Sequence, residues 1–63
     1  MTGAEFKAAR DALGLTQKEM ASELHMGRWG WQTIIGWEAD RKPVPALTAM
    51  VVERLVSERG ALA

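Results

Sequence analysis

Few side chains in this sequence suit covalent or proton-transfer chemistry. Cysteine is absent, so the chain offers no thiolate nucleophile, no thiolate metal ligand and no disulfide. The single histidine, His25, follows Ser22 by three residues, the nearest the sequence comes to a nucleophile beside a base. One imidazole with carboxylates scattered along the chain does not make a zinc site. No glycine-rich phosphate loop is present. We therefore expect neither catalysis nor a cofactor nor a metal. What the residues offer is recognition chemistry. A glutamine amide such as that of Gln32 donates and accepts at once, the pattern that adenine presents at N6 and N7. Lys18, Arg28, Arg41 and Lys42 are cations able to meet phosphate. Trp29 and Trp31 flank Gly30 and carry broad apolar faces.

Length and charge bound what these groups can serve. At 63 residues the chain is one domain at most. A domain this small buries only about 60% of its unfolded surface, so its core is marginal. Eight Lys and Arg balance eight Asp and Glu, for no net charge. That balance runs mildly against a nucleic-acid partner, which usually meets a basic protein. The local excess lies over residues 27–45, where Arg28, Arg41 and Lys42 face Glu38 and Asp40. Hydrophobic content of 48% excludes a disordered chain. No apolar run approaches the ~20 residues of a membrane span, and no charged-then-apolar leader precedes the domain. The expectation is a soluble, cytoplasmic protein with no membrane and no small-molecule partner.

The helical period positions these side chains, and strand alternation is weak. A first helix is expected over residues 2–13, with Phe6, Ala9 and Leu13 on one face and Gly14 as its left-handed stop. Thr16-Gln17-Lys18-Glu19 is a capping box that opens a second helix with Met20, Ala21 and Leu24 inward. A short third helix is expected over residues 31–39, with Gly30 at its cap and Ile34 and Trp37 facing a core. Two prolines make residues 40–45 a loop, and Pro45 can open a last helix over about 46–59. That last helix is apolar on two sides. Leu47, Met50, Val51 and Leu55 form one stripe; Ala49, Val52 and Val56 form another. A surface helix needs only one. The residues alone leave open which stripe meets a partner, most simply a second copy. We assign that contact to Ala49, Val52 and Val56.

Residues 8–24, which contain Leu13-Gly14-Leu15-Thr16-Gln17, resemble the Cro/phage-repressor helix-turn-helix family. So does Thr33-Ile34-Ile35-Gly36-Trp37-Glu38 with the basic loop after it. The resemblance covers about residues 4–55. Pro43-Val44-Pro45-Ala46 before an apolar helix is similar to compact phage regulators, including those encoded beside anti-CRISPR genes. The resemblance implies an all-α, compact four-to-five-helix lambda-repressor-like domain over residues 1–63, with its helix-turn-helix at 16–39. It also implies a structural ion pair between Arg10 and Glu38. The chain departs from the family in its turn, which is about three residues longer than the usual 3–4. The extra residues fall around Gly27-Arg28-Trp29-Gly30.

On this resemblance the helix at 31–39 enters the major groove of double-stranded DNA. Trp31, Gln32, Thr33 and Ile35 are then the base-reading candidates, and Gly36, with no side chain to read with, allows a close approach of either DNA or another helix. Gln17, Lys18, Arg28, Trp29, Arg41 and Lys42 are the candidates for the phosphate backbone. The function implied is a sequence-specific transcriptional regulator, a repressor of its own promoter, binding an inverted repeat as a homodimer. The alternative from the residues is a protein-interaction module, an antitoxin or adaptor on the same fold, favoured by the neutral charge and the tryptophans near the turn.

Overall fold

The structure is a computed structural model and describes residues 1–62. Ala63, the last residue of the expected domain, lies outside the described residues. The described chain is all-α, with α1 at Gly3–Ala12, α2 at Gln17–Glu23, α3 at Gly30–Glu38 and α4 at Ala46–Leu62. None of these helices is long and apolar enough to cross a membrane.

Both short N-terminal helices start from capping boxes. The Thr2 hydroxyl accepts from the Glu5 amide at 3.1 Å, and the Glu5 carboxylate accepts from the Thr2 amide at 2.8 Å. Thr16 and Glu19 repeat the arrangement at 3.1 and 2.8 Å. Each box satisfies donors that a helix start leaves unpaired. After α2 the chain turns through two left-handed residues, His25 and Gly27. Their geometry spreads the connection over residues 24–29 and carries the extra length noted in the sequence.

The third helix starts one residue earlier than expected. Trp29 stands at its cap, without a side-chain cap bond, and Gly30 is its first residue. The reason is packing. Gly30 is buried where α3 meets α2, and a Cβ there would run into Met26 and press on Ala21 at 3.4 Å. Glycine lets the two helices approach, with Ala21 as the small residue on the other side.

The core consists of Phe6, Leu13, Met20, Ala21, Ile34, Trp37, Val44 and Val52. Phe6 meets Trp37 edge to face, ring centroids 5.4 Å apart. In that geometry the positive ring edge points at the negative face. α1 packs on both α3 and α4, while α2 packs on α3.

The two stripes of α4 exchange the roles assigned to them. Val52 is fully buried, and Ala49 and Val56 pack against the core beside it, so they are not a free dimer surface. Leu47, Met50 and Val51 instead stand 77%, 65% and 49% exposed. The smaller Ala and Val side chains pack inward, and of the bulkier stripe only Leu55 joins them against the core. The helix also runs on past residue 59, to Leu62.

Candidate functional site

The site is built from the inside of α3 outward. Ile34 is fully buried and Trp37 nearly so, which fixes the rotation of the helix. Its last residue, Glu38, is tied to α1. Arg10 Nε donates to Glu38 Oε2 at 2.8 Å, and a second guanidinium nitrogen donates to Oε1 at 3.1 Å. Such two-point pairs add direction as well as energy. The third Arg10 nitrogen donates to the Leu15 carbonyl at 2.9 Å. The Glu38 carboxylate holds Arg10 still more firmly in its charged form, chiefly through this hydrogen bond. Gln17, at the start of α2, donates one amide N–H to Glu38 Oε1 at 3.2 Å. One carboxylate therefore joins α1, α2 and α3. Gln17 thus braces the pair and keeps one amide N–H for an outside group.

With Ile34, Trp37 and Glu38 turned inward, Gln32 projects to solvent and is exposed. Thr33, Ile35 and Gly36 are half-buried beside it. The four base-reading candidates are thus not equivalent. Trp31 packs partly on the core, and the Lys18 ammonium lies 5.3 Å from the centre of its ring. That cation–π contact ties the indole to α2 and leaves Gln32 as the freely projecting polar group of this face.

Trp29 is 62% exposed, with the Arg28 guanidinium 5.6 Å from its ring centre. Between α2 and the turn lies an open groove of about 550 Å³, lined by Lys18, Ser22, His25, Arg28, Trp29 and Trp31 among others. Two cation–indole pairs, Lys18 with Trp31 and Arg28 with Trp29, contribute to its lining. Ser22 and His25 both reach this groove, and both are exposed.

Arg41 and Lys42 follow the C-terminal end of α3, in the exposed loop before α4. The loop is fixed at its root. The Arg41 amide donates to the Gly36 carbonyl at 2.9 Å. Asp40 adopts a left-handed backbone and accepts from the Gly3 amide at 3.1 Å. The Asp40 bond to the start of α1 was not legible in the sequence, because it spans 37 positions and depends on α1 lying across the end of α3.

Elsewhere the carboxylates have structural tasks. Glu5 and Glu19 are held below the ordinary glutamate pKa by the hydrogen bonds from Thr2 and Thr16. Among the described residues no group of three or more His, Cys, Asp or Glu side chains is arranged for a metal ion. A second hollow of about 380 Å³ lies between α4 and the end of α2, lined by Leu24, Met26, Trp37, Leu47, Thr48 and Val51. It adjoins the exposed α4 stripe and is mostly apolar. No protein-family model matches the chain, and no curated protein or solved structure matches it either.

Proposed function

We propose that this protein is a sequence-specific double-stranded DNA-binding regulator, a repressor acting by occupancy of a promoter, with a helix-turn-helix formed by α2 and α3. One observation carries the reading. α3 is anchored from behind by Ile34, Trp37 and Glu38 and turns Gln32 outward, with Arg28 just before its first turn, Lys18 over the Trp31 ring, and Arg41 and Lys42 just after its last turn. An exposed amide on a rigid helix between cations fits the major groove, which is about 12 Å wide and bordered by phosphates. The backbone contacts fix position and the amide selects sequence.

The protein acts as a homodimer in this reading. Its longest dimension is 32 Å and it carries one such helix. Two major-groove half-sites lie ~34 Å apart, so an inverted repeat takes two copies. The exposed α4 stripe of Leu47, Met50 and Val51 supplies the contact.

The test is selection from random duplexes followed by titration at several salt concentrations. We expect a palindrome with a fixed half-site spacing. Lys18, Arg28, Arg41 and Lys42 from two copies neutralise roughly eight phosphates, for a salt slope near −7. Gln32→Ala should erase sequence preference at one position and cost about 1–3 kcal/mol on the selected site only. Arg41→Ala should weaken all duplexes alike. Equal behaviour of the two variants would refute this division of labour, and a slope near zero would refute the function. The exposed apolar stripe on α4 also favours a second reading, a protein-interaction module. A stable protein complex together with no duplex shift at low salt would decide for it.

A further inference from the structure

Phosphate contact accounts for the cations of the groove between α2 and the turn and leaves its indoles without a task. Trp29 is 62% exposed, although an indole is a costly group to leave in water. The other large apolar side chains that stand exposed among the described residues, Leu47, Met50 and Val51, all lie on α4. Trp29 lines a different hollow, the groove of about 550 Å³. Its ring and that of Trp31 each carry a cation, Arg28 at 5.6 Å and Lys18 at 5.3 Å from the ring centre. Among the described residues no carboxylate lines the groove, and neither cation has an ion-pair partner. In a chain whose acids and bases balance, this is a local surplus of positive charge. The exposed Ser22 hydroxyl and His25 imidazole add hydrogen-bonding groups to the same wall.

We propose that this groove is a binding site for a nucleoside monophosphate, where the composition had suggested no small-molecule partner. Each part of the ligand has its counterpart in the lining. A flat aromatic base stacks on the exposed indole of Trp29. A phosphate monoester, with nearly two negative charges at neutral pH, takes Lys18 and Arg28 as its partners. The polar edges of base and ribose meet Ser22 and His25. The volume falls within the roughly 300–1,000 Å³ of small-molecule sites. An apolar segment of another protein would desolvate two unpaired cations. Inorganic phosphate would leave both indoles bare. Lys18 and Arg28 also serve the duplex in the reading above, so bound nucleotide and duplex exclude each other.

The test uses the full chain without DNA, so that its failure leaves the duplex reading standing. Each common ribonucleoside monophosphate, its nucleoside and inorganic phosphate are titrated by calorimetry and followed through the indole N–H signals in NMR spectra. At least one monophosphate should bind one to one, moving the signals of Trp29 and Trp31 while that of the buried Trp37 stays in place. Its nucleoside and inorganic phosphate should each bind at least about tenfold more weakly. Trp29→Ala and Arg28→Gln, both at exposed positions, should each weaken binding about tenfold. Lys7→Gln, exposed on α1 and outside the groove, should leave it unchanged. Equal affinity for inorganic phosphate would remove the indoles from the site, and equal affinity for the nucleoside would remove the cations; either overturns the proposal. So does the absence of any indole shift at millimolar monophosphate. Where the duplex binds, saturating monophosphate should release it, and duplex retained beside bound nucleotide would overturn the mutual exclusion.

Discussion

Arg10 and Glu38 are 12% and 8% exposed, whereas Arg54 and Glu58 are 82% and 60% exposed. Identical chemistry therefore has unequal consequences. The exposed pair keeps most of its hydration with or without its partner and is screened by salt. Arg54→Ala should move stability by no more than about 0.5 kcal/mol. Glu38→Ala leaves the Arg10 guanidinium nearly buried without its carboxylate and removes the acceptor of Gln17. It should cost about 3 kcal/mol, read as a shift of the urea midpoint at unchanged slope. A loss as small as that of Arg54→Ala would mean the three-helix junction at Glu38 does not hold α3. The Arg10–Glu38 pairing was legible through the family resemblance. The share of Gln17 was not, because it depends on how α2 crosses α3. Nor could spacing separate Trp29 from Trp31: one precedes the first turn of α3 and stays in solvent, the other is carried round against α2.

Local signals located the elements well wherever a single residue type decides a boundary. Thr16 and Glu19 announce α2, and Pro43 and Pro45 announce the loop before α4. The box at Thr2 and Glu5 has the same signature and opens α1. The start of α3 was missed by one position because no side chain caps it; packing of Gly30 on Met26 sets it instead. Caps this clear make measurable predictions. Thr16→Ala should cost about 1 kcal/mol and lower the melting temperature by roughly 4–8 °C. The pH dependence follows from the lowered pKa values of Glu5 and Glu19. A carboxylate lowered in the folded state contributes stability above its unfolded value, near 4.3, and that contribution is lost as the pH falls through the folded value. Glutamine keeps the reciprocal cap but does not titrate. The double variant Glu5→Gln, Glu19→Gln should therefore show a shallower fall in melting temperature between about pH 5 and pH 3. An unaltered acid limb would mean that the boxes do not persist in solution.

At the scale of the whole molecule the decisive question is what covers α4. Both of its stripes are apolar, and the pattern along the chain could not say which one turns inward. That choice belongs to the crossing of α4 on α1, where the small side chains of Ala49, Val52 and Val56 fit around the core. The outward stripe of Leu47, Met50 and Val51 then sits beside the apolar hollow of Leu24, Met26 and Trp37, so the two form one continuous patch. A core this small is marginal alone, and a partner that binds only the folded state adds stability by mass action. The melting temperature should therefore rise with protein concentration. Leu47→Glu places a charge in the middle of that contact and none in the core. It should give a folded monomer by sedimentation, with a melting temperature independent of concentration. Val52→Ala does the reverse: it removes fully buried methyl groups, costs about 2 kcal/mol and leaves the outward patch intact. The same Leu47→Glu monomer tests the link from assembly to DNA. With four cations in place of eight, its salt slope should fall from about −7 to about −3.6. Its preference for the full palindrome over a half-site should vanish. A Leu47→Glu protein that stays dimeric and keeps the steeper slope would place the interface elsewhere and leave the exposed stripe without a role in assembly.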